Sequence, residues 1–258
     1  MDMKKIIETI LESIENSQEY QDRENYKEFS FFEQYCDDII NNLKVFPKNS
    51  DVYIEKCDEQ GIAIFVSYKS DEECIPIKLT QNGETLDVQS REIVKLVDCK
   101  ITINVPANVR KVNINSETGN IHLSHQMLQD LKVDNRTGNV EIEESVLAES
   151  NIRMTTGCLL VRKSQCENLS VLSENVNISI DKCFLYDTNI RNKNGNITIK
   201  RSQTEIDDQH IKTLSINGRV NVVRGSSVKK ADNLNTRGQI NLRTDNGNIV
   251  LDLTGDEK

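Results

Sequence analysis

Apolar positions in the second half of the chain follow a glycine that returns every 19 residues, at Gly119, Gly138 and Gly157, with Val176 in the next slot and Gly195 after it. Five residues before that slot stand Ile114, Val133, Ile152, Val171 and Ile190. Two residues after it stand Ile121, Val140, Leu159, Ile178 and Ile197, and four after it Leu123, Ile142, Val161, Ile180 and Ile199. The +2 and +4 positions alternate with polar residues, which is strand period. The −5 and +2 columns lie an odd number of residues apart, so simple alternation cannot put both inside. A bend is therefore expected between them, where Thr-Gly-Asn recurs and glycine permits positive φ. Beyond Gly195 the frame loosens: Gly218, Gly238 and Gly247 follow at steps of 23, 20 and 9. The longer step predicts a loop insertion around Asp207-Asp208, and no proline occurs after Pro106 to interrupt a ladder.

The first hundred residues read differently. Ile6, Ile7, Ile10, Leu11 and Ile14 have helical spacing, and a second helix is expected from about Asn25 to Leu43, carrying Phe29, Phe32, Cys36, Ile39, Ile40 and Leu43. Val52/Ile54, Ile62/Ile64/Val66 and Ile75/Ile77/Leu79 alternate as half-buried strands, and Asn82-Gly83 marks a hairpin. The expected fold is mainly β. A small helical region (1–46) and an antiparallel β lead-in (51–108) precede a parallel β-solenoid, or β-helix, over 109–258, with about seven coils of about 19 residues. An antiparallel meander with a hairpin at each Thr-Gly-Asn is the competing arrangement. Equal steps carrying like residues favour stacked parallel coils. In such a stack Asn120, Asn139, Asn177, Asn196 and Asn248 would align as a broken ladder of stacked side-chain amides.

The entry Ile101-Thr-Ile-Asn-Val-Pro106, the segment from Val112 to Leu123, and the recurring Thr-Gly-Asn-apolar-x-apolar unit resemble the bacterial "putative adhesin" β-strand-repeat family. The resemblance covers roughly residues 51–253 and leaves the expected helices outside it. It implies a β-solenoid with no established enzyme activity or cofactor, and it carries over no catalytic or binding residues. The chain departs from an adhesin in lacking a recognisable export signal.

Charge divides the chain near residue 100: the first hundred residues balance to −10 and the rest to +1, for a net −9. An acidic protein lacks the basic face that general nucleic-acid binding needs. Seven cysteines, an odd number without C-x-x-C spacing, suggest reduced thiols rather than a disulfide framework or zinc site. With no apolar run long enough to span a membrane and no unbroken signal-peptide core, the expected location is the cytoplasm.

Candidate chemistry is sparse. His122 and His125 lie close together but lack further metal ligands in the pattern, so no metal is expected; Asp207, Asp208 and His210 form a small loop cluster. Glu141 and Glu143 share one strand at a spacing that glycoside chemistry can use, though exposed strands often carry such pairs. Ten of the twelve Phe and Tyr residues precede residue 69, which leaves Phe184 and Tyr186 as the later aromatic surface for sugars. The more pointed pattern lies five and six residues after the glycine slot. Arg162, Lys163, Lys182, Lys200, Arg201 and Arg224, with Arg243 beyond, would form a basic stripe for an anionic ligand or acidic partner. The expected function is a non-catalytic intracellular scaffold or protein-interaction module without cofactors. The alternatives are a self-assembling bactofilin-like structural protein, joined as a homo-oligomer through its ends, and a polysaccharide-binding or polysaccharide-active β-helix protein.

Overall fold

The computed structural model describes residues 26–35, 39–71, 73–91, 97–202, 211–223 and 239–253. The N-terminal part contributes β1 (Lys27–Tyr35), β2 (Asn42–Phe46), β3 (Ser50–Lys56), β4 (Ile62–Ser70), β5 (Ile77–Asn82), β6 (Thr85–Ser90) and β7 (Val97–Val105). The repeats begin with β8 (Lys111–Thr118), β9 (Ile121–Ser124), β10 (Met127–Thr137), β11 (Val140–Glu143), β12 (Val146–Arg162) and β13 (Gln165–Asp181). They continue with β14 (Phe184–Asn194), β15 (Ile197–Lys200), β16 (Ile211–Asn217), β17 (Val220–Val223), β18 (Ile240–Asn246) and β19 (Ile249–Asp252).

The apolar columns set the register. Ile114, Val133, Ile152, Val171 and Ile190 pair in turn across β8, β10, β12, β13 and β14, all parallel. Ile121, Val140, Leu159, Ile178 and Ile197 do the same across β9, β11, the second halves of β12 and β13, and β15. Both columns are buried and belong to one continuous apolar core. A one-residue slip would turn every one of these side chains to solvent, each burial being worth about 1.5–3 kcal/mol, so the register is tightly specified.

Between the two columns sits the glycine slot. Gly138 has φ +132°, and a Cβ placed on it would lie 2.1 Å from the carbonyl oxygen of Gly119 in the layer below. Across the column as a whole that separation is 1.9–2.2 Å. The glycines are there because, at this positive φ, a Cβ would run into the backbone of the adjoining layer; Val176, without positive φ, holds the same slot with its side chain buried.

The expected fold class is corrected in two respects. First, no helix occurs among the described residues. The stretch expected as a second helix forms β1 and the start of β2 instead, while the expected helix at 3–17 lies outside the described residues. β1 pairs antiparallel with β4 along its full length, and Phe29 stacks on the Tyr68 ring while Phe32 meets Phe65. A segment rich in Phe and Tyr fits a pleated surface, and cross-strand aromatic pairs outweigh the helical spacing read from single positions.

Second, the strands are not a parallel solenoid of successive coils. Among the described residues they make one curled, mixed sheet of nineteen strands whose spatial order departs from chain order. β2 and β3 lie against β8 and β9, with β6 and β7 beyond them. β5–β6, β4–β7 and β1–β4 then pair antiparallel. At the other end β18 and β19, the last strands in sequence, pair with β14 and β15, and β16 and β17 lie outside them. The irregular steps explain this order. Gly247, not Gly238, occupies the close-approach slot above Gly195, and Gly218 stacks on Gly247. The layer between Gly195 and Gly218 is filled by the final segment, β18 and β19.

Candidate functional site

Each repeat turns a second time six residues after the glycine slot, where His125, Glu144, Lys163, Lys182 and Arg201 all have φ between 47° and 57°. Left-handed backbone is unfavourable for these residues by about 1–3 kcal/mol apiece. The layer contacts over-determine it. The amide of Glu144 donates to the Arg162 carbonyl at 3.1 Å, that of Lys163 to Asp181 at 3.0 Å, and that of Lys182 to Lys200 at 3.1 Å.

Immediately after Glu144, Lys163, Lys182 and Arg201 comes a buried small side chain that closes the corner, and after His125 comes the buried Gln126. Ser145 Oγ accepts the Gln126 amide at 3.1 Å and donates to the Glu143 carbonyl at 2.8 Å. Ser164 Oγ repeats this with the Ser145 amide at 3.1 Å and the Arg162 carbonyl at 2.7 Å. Ser202 Oγ accepts from Cys183 at 3.3 Å and donates to Lys200 at 3.0 Å. Cys183 stands in the same column and its Sγ donates to the Asp181 carbonyl at 3.4 Å. Burial pushes the Cys183 thiol up to about 11 and pushes Cys166 further in the same direction, so both stay protonated and unreactive. The serine column is legible in the chain as Ser145, Ser164 and Ser202 at the repeat spacing, a signal that attention to charged positions passes over.

Arg162, Lys163 and Arg201 of the expected stripe meet acids at this corner. Arg162 bonds Glu141 and lies 3.4 Å from Glu143. Lys163 reaches Glu143 at 3.4 Å and Glu144 at 2.8 Å, and Glu144 also meets His125 at 2.9 Å. Hydrogen bonding and charge from Glu144 hold the Lys163 ammonium above its ordinary range, and Lys163 holds the Glu144 carboxyl below its own. Arg201 grips Asp181, its Nε donating at 2.9 Å. Lys182 and Arg201 lie along the same corner column as Lys163, and Lys200 ends β15 beside Asp181. Arg243 lies elsewhere, in β18 opposite Arg191, and Arg224 is outside the described residues.

Glu141 and Glu143 are likewise engaged with Arg162, and His122 meets Glu141 at 3.4 Å while its ring faces Tyr53. Lys100 in turn sits 4.0 Å above the Tyr53 ring. These contacts tie neighbouring strands together. Among the described residues no group of three or more His, Cys, Asp and Glu is arranged to hold a metal. Asp207, Asp208 and His210 fall outside them.

The asparagines after the glycines align, but their bonding differs from stacked amides. Asn139 Oδ1 accepts the Cys158 amide at 3.0 Å, and Asn196 Oδ1 accepts that of Asn248 at 2.9 Å. Direct amide-to-amide bonds occur two residues earlier, along Asn175, Asn194, Asn246 and Asn217, at 2.7–2.8 Å. Inside the bend, Asn192 Nδ2 donates to the Val176 carbonyl at 2.7 Å and Thr244 Oγ1 to that of Gly195 at 3.1 Å. Ser215 Oγ reaches the Gly247 carbonyl at 2.6 Å.

With corners closed by internal bonds, the outward side chains of β10, β12, β13, β14 and β18 remain. Three adjoining concavities of about 560, 490 and 260 Å³ run across them. An all-β repeat protein with bonded corners and one displayed strand face is the class these features define. The chain belongs to the Toastrack DUF4097 family, whose model matches residues 40–252, in keeping with the adhesin-like resemblance of its motifs. A "putative cell adhesion protein" from Clostridium sporogenes ATCC 15579 is 13% identical, covering 88% of this chain and all of its own, with a TM-score of 0.39. A "putative adhesin" from Bacteroides fragilis NCTC 9343 is 12% identical over 87% of this chain and 97% of its own, at 0.45. A "putative lipid binding protein" from Parabacteroides distasonis ATCC 8503 is 13% identical over 89% and 95%, at 0.43. No curated protein matches the chain.

Proposed function

We propose that this protein is a non-catalytic interaction module that recognises a partner protein on the outward face of its repeat strands. The observation that carries this reading is the contrast between the two kinds of outward position. Acids and cations at the corner engage one another across layers, whereas the strand face displays Leu172 at 54% exposure among polar residues within a concavity of about 560 Å³. A photo-cross-linking residue in place of Leu172 tests it in the native cell. The expected result is one discrete cross-linked polypeptide, identified by mass spectrometry, that re-forms the complex with this chain when both are purified. Polysaccharide cleavage by the purified chain, or cross-links to no particular protein, would overturn the reading.

Six described cysteines stand as free thiols, which supports placing the module in the reducing cytoplasm. A self-assembling role is the second reading, and one observation favours it. Among the described residues β16 and β17 pair with a neighbour on one side only, and Leu214, Ile216, Val220 and Val223 there are exposed. An open strand edge with apolar side chains is a template for association. Sedimentation velocity decides: concentration-dependent growth favours assembly, and a monomer at high concentration excludes it.

A further inference from the structure

The outward column four residues before the glycine slot runs Asp134, Arg153, Leu172, Arg191, Arg243 and Leu214. Neighbours in this column sit about 4.8 Å apart along the sheet. Arg191 and Arg243 face each other directly on adjacent strands, an arrangement that is destabilising for like charges. Among the described residues, Arg153, Arg191, Lys193 and Lys212 form no ion pair, while Arg243 Nε meets Asp245 at 3.3 Å. The corner cations are arranged oppositely, with acids at 2.8–3.4 Å. The two larger concavities, of about 560 and 490 Å³, share Arg191 and Arg243. Between and beyond the arginines stand Leu172 and Leu214, 54% and 51% exposed.

Guanidinium groups spaced along exposed leucines, with Arg153 and Arg191 forming no ion pair among the described residues and Arg243 meeting only Asp245, match a chain that alternates carboxylates with apolar side chains. A pure phosphate polymer would leave the leucines without a contact, whereas apolar side chains of a peptide can cover them. We propose that the outer face of β12, β13, β14 and β18 docks an extended acidic peptide segment of a partner protein, with its carboxylates on Arg153, Arg191 and Arg243 and an apolar side chain against Leu172. This rests on the interaction-module reading and names the chemistry of its partner. Arginine suits the role because its planar fork binds a carboxylate through two parallel hydrogen bonds.

The test uses arrayed decapeptides built from Glu, Leu, Ser and Lys in varied composition, probed with the full chain. The strongest binder is then titrated by fluorescence anisotropy, with inorganic polyphosphate as competitor and circular dichroism as the check on folding. Selected peptides are expected to carry two or more Glu beside a Leu and to weaken as salt rises. R153E/R191E/R243E should reduce affinity at least about tenfold. L172S should reduce it by a smaller factor, and the corner variant K163E/K182E/R201E should leave it within about twofold. Selection of neutral or basic peptides would overturn the acidic partner while leaving the interaction module standing. Binding by no peptide of any composition would count against both. Polyphosphate displacing the peptide, together with full binding by L172S, would assign the face to an oxyanion polymer and sink the peptide proposal.

Discussion

The two turns of each repeat solve the same backbone problem with different residues. Both take positive φ in most layers, yet there one is filled by glycine and the other by histidine, glutamate, lysine and arginine. At the glycine turn a Cβ would fall about 2 Å from a carbonyl of the next layer. At the charged turn the side chain leaves into solvent, and a buried serine bonds both neighbouring backbone groups. Positive φ alone thus does not demand glycine; close approach of two backbones does.

The sharpest challenge to this contrast is Gly138→Ala. Backbone strain and overpacking together should cost on the order of 3–5 kcal/mol, read as a lowered urea midpoint or failure to fold. Lys182→Ala, at the other turn, should leave the midpoint nearly unchanged. Val176 supplies the mirror experiment, because it holds the glycine slot without positive φ and is buried at 1% exposure. Val176→Gly should therefore destabilise, by about 2–3 kcal/mol in the same assay, from lost burial and added unfolded-state entropy. Should Val176→Gly stabilise, the argument from close approach is wrong.

Ser164→Ala should cost about 1–2 kcal/mol, since it leaves the buried Ser145 amide without its acceptor. Lys182→Gly is expected to stabilise by about 0.5–1 kcal/mol, the relief of left-handed strain exceeding the entropy that glycine adds to the unfolded chain. The smallest effect belongs to the exposed Lys163–Glu144 pair. Glu144 has a lowered folded pKa, so its contribution is present above the unfolded value and lost as pH falls through the folded one. Lys163 has a raised folded pKa, so its contribution is present below the unfolded value and lost as pH rises through the folded one. The melting difference between wild type and Lys163→Ala should be small near neutrality and shrink toward both extremes.

Much of the repeat is readable in the chain. The core columns and the 19-residue register of β8 to β14 follow from the spacing of Ile, Val and Leu, as does the need for a bend near each glycine. What misleads is local spacing without its partner strand. Phe29, Phe32 and Leu43 sit at helical intervals, but β4 supplies a nine-residue antiparallel partner for Lys27–Tyr35 that no helix in isolation can match. The candidate stripe was legible as a run of cations, whereas the acids that meet Arg162 and Lys163 come from the preceding layer. Arg243 stands five residues after Gly238, but the slot belongs to Gly247, which places Arg243 beside Arg191.

The amino-acid order alone determined periodicity, the inward columns and the positions that must turn, because burial alternation and backbone conformation are local properties repeated at a fixed step. Tertiary structure decided which layer lies beside which. It inserted β18 and β19 inside β16 and β17, joined parallel and antiparallel pairs in one curled sheet, and left Arg153 and Arg191 of the strand face without an ion pair among the described residues while pairing Arg162 of the corner with Glu141. Strand pairing joins segments up to sixty-nine residues apart here, as between Val52 and Ile121. Any layer with the right alternation can compete for such a place, and only contacts across the assembled sheet choose among them.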